Sequence, residues 1–115
     1  MVARLCRLPI EFRQSGGKSS VSIVLESSYR EKPKLFTRGR VRRYLRSHPQ
    51  LVEDWLTWSA DKRTDSGWYF RKTGWRYEVG YLPDRNVFKF WSRYAGCAEF
   101  IVREIAEIAG LVPSH

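Results

Sequence analysis

Cysteine, histidine and long apolar runs are scarce in this chain, and each scarcity removes a class of function. The only cysteines are Cys6 and Cys97. Two cysteines so far apart supply neither the knuckle spacing of a metal site nor the disulfide framework of a small secreted protein, so two buried thiols in a reducing cytosol are expected. No apolar stretch reaches the ~18 residues that a membrane-spanning helix needs. Arg4 and Arg7 interrupt the apolar core that a signal peptide would place near the N-terminus, which predicts a cytoplasmic protein with no membrane role. No repeat with a period of about 20 to 50 residues and no low-complexity tract is present.

Histidine is limited to His48 and the terminal His115, and acid-base or metal chemistry has little else to draw on. His48 precedes Pro49 in a helix-start turn and reads as a solvated turn residue. Glu53 and Asp54 are neighbours at a helix start, and Glu99 with Arg103 has the i,i+4 spacing of a surface pair. Gly16 and Gly17, followed by Lys18, lack the strand-to-helix context of a phosphate loop, and Cys-x-x-Cys and His-Glu-x-x-His are missing. A metal-independent ribonuclease needs only an acid-base group and phosphate stabilisation, for which His48, Tyr44 and nearby arginines are available. The broader reading is a protein that is not an enzyme and uses no cofactor.

What the chain does have is apolar mass and positive charge. Its 115 residues are 43% apolar and include five Trp, enough for one domain over residues 1–115 to bury a core unaided. The formal charge is +9 and the pI is near 10, which favours an acidic partner: nucleic acid, an acidic protein face or, less well, anionic lipid. The charge is concentrated. Arg30, Lys32, Lys34, Arg38, Arg40, Arg42, Arg43 and Arg46 lie within seventeen residues that hold a single acid, Glu31.

The pattern predicts an α+β fold. Leu5, Leu8, Ile10 and Phe12 lie close to a period of two, and Val21, Ile23 and Leu25 repeat it after a polar break, so an N-terminal β-hairpin is expected. Glu31 to Phe36 is an exposed loop. Thr37 caps a short helix to Arg46, and Ser47 caps a second with Pro49 in its first turn and Leu51, Val52, Trp55 and Leu56 on its buried face. After a polar turn from Asp61 to Gly67, the runs Trp68 to Phe70, Trp75 to Leu82 and Val87 to Trp91 form a three-stranded antiparallel meander. A helix from about Tyr94 to Ala109 lies across the sheet, with Gly110 as its C-cap candidate. The expected order is β-β-α-α-β-β-β-α. Burial is the default for Trp68, Trp75 and Trp91, although their polar neighbours leave room for an exposed aromatic patch.

The segments LVEDWLTWSADKRTDSGWYFRKTGWRYEVG, from Leu51 to Gly80, and YAGCAEFIVREI, from Tyr94 to Ile105, carry a resemblance. Gly67 to Phe70, Val79 to Tyr81 and the Cys97-Ala98 step resemble the Gly-Trp-Tyr-aromatic strand, Val-Gly-Tyr strand and terminal helix of small bacterial immunity proteins, which neutralise polymorphic toxins. The match covers about half the chain and its motifs are structural, so it carries over no functional residue. It implies a non-enzymatic inhibitor that occludes a cognate toxin or effector protein. Immunity proteins against nuclease toxins are often acidic, and a +9 chain departs from that pattern, suiting an acidic toxin face instead. A phage-encoded inhibitor of a defence nuclease fits the same description.

On this reading the contact surface comprises Lys32, Lys34, Arg38, Arg40, Arg42, Arg43 and Arg46, the loop residues Asp61, Lys62 and Arg63, and the anchors Trp68 and Trp75. The alternative is a nucleic-acid-binding module in which the arginine-rich helix meets the phosphates of RNA or DNA and exposed aromatics stack on bases.

Overall fold

The computed structural model describes residues 1–62, 67–83 and 86–110. Its elements are α1 (Val2–Cys6), α2 (Leu8–Gln14), α3 (Ser20–Glu26), a short 3₁₀ turn (Pro33–Leu35), α4 (Arg38–Ser47), α5 (Gln50–Asp61), β1 (Gly67–Thr73), β2 (Arg76–Leu82), β3 (Asn86–Phe90) and α6 (Arg93–Gly110). The class is α+β, with one antiparallel sheet in the order β1-β2-β3 and α6 packed on it.

The N-terminal hairpin does not form. Leu5 to Phe12 and Val21 to Leu25 lie in three short helices, and burial shows why. Leu5, Cys6 and Leu8 are all fully buried, and so are the sequence neighbours Ile23 and Val24. A strand sends adjacent side chains to opposite faces, whereas a helix gathers positions i, i+1 and i+3 or i+4 on one stripe. Local chemistry agrees. Pro9 sits in the first turn of α2, where its missing N–H costs nothing, and the Ser19 hydroxyl accepts from the Ser22 amide at 3.1 Å to cap α3. Arg4 then ties the segment together, donating to Glu11 at 2.7 Å and to Glu26 at 3.1 Å.

Thr37 caps α4 as expected, accepting from the Arg40 amide at 3.3 Å. Ser47 does not cap α5. It is the last residue of α4, and Pro49, which has no side-chain acceptor, occupies the cap position. Leu51, Val52 and Trp55 are fully buried on α5, Leu56 only in part, and the Trp55 indole donates to the Cys6 carbonyl at 2.8 Å. The Glu31 to Phe36 connection is not wholly exposed, since Phe36 is buried against the core edge-on to Tyr29. Cys6 and Cys97 are free and buried. Burial pushes the Cys6 thiol up to about 12 and holds that of Cys97 well above its ordinary range.

The meander forms in register, with Phe70 opposite Val79 and Val79 opposite Phe88. Thr73 pairs with Arg76, leaving a two-residue loop in which Gly74 takes the left-handed φ of +62° that such a turn requires. Trp75 therefore belongs to the turn and not to a strand. On the inner face, Gly96 lets α6 approach closely: a Cβ there would lie 3.1 Å from Tyr77 and 3.3 Å from Phe70.

Helix α6 is flanked on one side by the sheet and on another by α3 and α4, so its apolar residues Cys97, Phe100, Ile101 and Ile105 are buried all round. Two of its carboxylates are buried as well. Glu99 does pair with Arg103, yet it is not at the surface: it is 9% exposed and also accepts both Nε and Nη2 of Arg38 at 2.8 Å. Glu104, 3% exposed, accepts from the Trp58 indole at 2.9 Å and from Lys62 Nζ at 3.0 Å.

Burial pushes the Glu99 carboxyl up, but hydrogen bonds from Arg38 and Arg103 outweigh it, and its pKa lies below the ordinary value. The folded state thus favours the ionised form. This stabilisation is fully present above the unfolded Glu range, about pH 4.3, and is lost as pH falls through the folded value. Glu99→Gln is expected to unfold with a shallower pH dependence below that range than the wild type, read from urea midpoints across pH. Glu104→Ala leaves the Lys62 ammonium without its carboxylate and is expected to cost about 3 kcal/mol in the same assay.

Candidate partner-docking surface

Among the described residues, six acidic side chains are held in ion pairs. Glu11 and Glu26 hold Arg4, Glu26 also holds Lys18, Asp54 holds Arg13, Glu78 holds Arg71, Glu99 holds Arg38 and Arg103, and Glu104 holds Lys62. Exposed cations are densest around α4, and Arg76 and Lys89 stand on the outer face of the sheet.

Three of the residues singled out from sequence are engaged within the fold. Arg38 is fixed on Glu99. Lys62 donates to Glu104 and, at 2.7 Å, to the Trp68 carbonyl. Trp68 is half-buried, edge-on to Tyr81 at 4.9 Å, with the Arg103 guanidinium 4.6 Å from its ring. Lys32, Lys34, Arg40, Arg42, Arg43 and Arg46 are exposed around α4. Asp61 is exposed at a cleft of about 270 Å³ between α2 and α5, beside Phe12 and Trp58. Arg63 lies outside the described residues. Helix α6 stands between α4 and the sheet, so the basic helix and Trp75 belong to different surfaces.

Strand alternation assigns the sheet faces. Phe70, Tyr77, Val79 and Phe90 face inward, which sends Tyr69, Arg71, Arg76, Glu78, Leu82, Val87 and Lys89 outward. No described helix lies over that outer face. Helix α5 borders it instead, covering the edge of β1 where the Ser59 hydroxyl accepts from the Phe70 amide at 2.7 Å. A groove of about 690 Å³ between α5 and β1, with Leu56, Tyr69 and Leu82 in its walls, continues the face sideways.

The outer face is pinned at its centre. Glu78, 6% exposed, accepts the Tyr69 hydroxyl at 2.6 Å and the Arg71 guanidinium at 2.9 Å. The Tyr69 hydrogen bond, aided by Arg71 and opposed by burial, holds the Glu78 carboxyl below its ordinary pKa; burial and the ionised Glu78 raise that of Tyr69. At the β1–β2 hairpin end stand the two most exposed large apolar side chains described, Trp75 in the turn at 88% and Trp91 just past β3 at 71%. The Arg76 guanidinium lies 4.5 Å from the Trp91 ring centre, and Val87 and Leu82 are exposed on the same side.

Sequence reasoning named Trp75 but left out Arg76, Val87, Lys89 and Trp91 as contact residues. The signal was strand parity: once Phe88 and Phe90 face α6, Val87 and Lys89 must face away, and the Arg76 contact puts Trp91 just past the strand on the same side. Among the described residues no group of three His, Cys, Asp or Glu is placed to hold a metal ion, and no helix is long and apolar enough to cross a membrane. No family model, curated protein or solved structure matches the chain.

Trp75→Ala removes a side chain with almost no packing partners, and stability should change by less than about 0.5 kcal/mol. Trp55→Ala should lose about 3–5 kcal/mol. Urea unfolding of the two variants checks both, and a large loss at Trp75 would mean that its indole is packed.

Proposed function

We propose that this chain is a non-enzymatic inhibitor of the immunity type, which binds and occludes an acidic face of a bacterial toxin or nuclease through the outer face of its sheet. The observation that carries this reading is the exposed indole of Trp91 against the Arg76 guanidinium on a face that no described helix covers, with the exposed indole of Trp75 in the adjoining hairpin turn. Burying an indole is worth most when it is desolvated in a partner's pocket, and Trp and Arg are the residues that dominate such contacts. The surrounding cations steer an acidic partner and set its orientation.

The chemistry of the face favours protein over nucleic acid. Val87 and Leu82 offer aliphatic surface that a phosphate backbone cannot use. An acidic protein loop with apolar neighbours matches that aliphatic surface and the cations beside it. The resemblance of Gly67 to Phe70 and Val79 to Tyr81 to immunity-protein strands supports the same class.

The test is capture from a nuclease-treated bacterial lysate at about 150 mM salt, near physiological ionic strength. Immobilised wild type is expected to retain a protein whose enzymatic activity falls when wild type is added. Trp75→Ala/Trp91→Ala should weaken retention at least 30-fold, as the loss of one hot-spot residue worth about 2 kcal/mol requires, and should leave the partner active. A partner retained equally by the double variant, or no retained protein, would sink the reading. Binding that disappears with the nuclease treatment would assign the face to nucleic acid.

A further inference from the structure

A second surface, independent of the sheet face, carries a different chemistry. Arg40, Arg43, Tyr44 and Ser47 follow one another along α4 at i, i+3, i+4 and i+7, one stripe of a helix, and His48 extends it past the C-terminus. With Val2 of α1 they line an open groove of about 420 Å³. No carboxylate lines it.

The groove is organised by its own contacts. Arg40 donates from Nη1 to the Leu35 carbonyl at 3.1 Å, which holds the guanidinium and leaves its other donors available. His48 stacks on Tyr44, with ring centres 4.1 Å apart and planes 17° from parallel. His48 Nδ1 lies 3.0 Å from the Tyr44 carbonyl. A carbonyl can only accept, so Nδ1 carries a proton and Nε2 is the ring nitrogen left for a ligand. On the flank, Arg42 and Arg46 are exposed one helical turn apart, with about 6 Å of axial rise between them.

We infer that this groove binds the phosphodiester backbone of a nucleic-acid strand. Arg40 and Arg43 grip one phosphate with paired N–H donors, the Ser47 hydroxyl and His48 Nε2 complete its polar surroundings, and the Tyr44–His48 stack forms an aromatic wall for the adjoining base. Arg42 and Arg46 meet neighbouring phosphates. Extension along the strand is what selects a polymer: a free phosphate ion would occupy only part of the groove and leave the flanking pair unmatched. The surface also lacks what marks the sheet face, since its described lining holds neither an acid nor a large exposed aliphatic group.

The test is a titration of the full chain, isotope-labelled for NMR, with inorganic phosphate, a short oligouridylate and a short oligothymidylate, repeated across salt concentrations. The expected result is saturable shifts at His48 and along residues 40–47 with an oligonucleotide. Arg40→Gln/Arg43→Gln should weaken that binding at least tenfold and lower the slope of log affinity against log salt by about 2, roughly one for each cation removed from the phosphates. Arg42→Gln/Arg46→Gln should lower the slope again while leaving phosphate-ion shifts in place. Trp75→Ala/Trp91→Ala should leave oligonucleotide affinity unchanged, so failure here and failure of the docking reading are separable. Shifts that never saturate, saturable binding of phosphate ion alone, or oligonucleotide affinity that survives the Arg40/Arg43 change would overturn the inference.

Discussion

The structure depends on a helix that carries charge into the core. Helix α6 is bounded by the sheet and by other helices, so positions that would be wet on an amphipathic surface helix are enclosed. Two of these, Glu99 and Glu104, are carboxylates, and an isolated buried carboxylate would cost several kcal/mol. Each is kept by donors from other elements: Arg38 reaches in from α4, and Trp58 and Lys62 from α5 and its C-terminal end, with Lys62 also bound to the Trp68 carbonyl of β1. The two carboxylates fix how α4, α5 and the sheet sit around α6. A buried pair of this kind contributes positioning more than net stability, since an apolar core of equal volume would do as well energetically.

This arrangement shapes the exterior. In a chain with 21 basic and 12 acidic residues, ion pairs hold selected cations within the fold while others, Arg42, Arg43 and Arg46 among them, face water. Electrostatic self-repulsion is limited because α6 and the sheet separate the two basic surfaces. Arg38 illustrates the division: it begins the most basic helix, yet its guanidinium points to Glu99, while Arg42, Arg43 and Arg46 on the later turns remain outside. The surface field therefore comes from placement as much as from composition.

From Thr37 onward the order of elements was legible in the sequence, and the N-terminal segment was not. The aromatic and β-branched runs of the meander, its Gly74 turn and the long apolar spacing of α6 each satisfy only one period. The N-terminal segment satisfies two. Leu8, Ile10 and Phe12 alternate as a strand would, but Leu5, Cys6 and Leu8 also fit a helical stripe, and short helices of five to seven residues give too few turns for the period to separate them. Helical stripes win because the core needs Ile23 and Val24 on the same side. At the candidate surface, the density of cations was visible, but pairing across the chain was not: Arg38 and Glu99 are 61 residues apart, a contact that no local pattern encodes. The exposure of Trp75 follows from the turn it occupies, and that of Trp91 from its place just past β3, on the same side as Arg76.

The two surfaces differ in one respect that composition hides. Both are basic, but the sheet face is built around the carboxylate of Glu78, neutralised by Tyr69 and Arg71 and flanked by indoles and aliphatic side chains. A ligand there would exchange water for apolar contact, which a folded protein surface offers and a polyphosphate does not. Along α4, the cations stand on a rigid helix with no such acid, and their neighbours are a hydroxyl, a phenol and an imidazole. Donors without desolvated apolar surface bind an anion through charge and hydrogen bonds, so binding there is weakened by salt; the indoles of the sheet face gain from burial, which salt does not screen. One chain thus presents a surface where a ligand would gain from desolvation and another where it would gain from charge, and α6 keeps them apart.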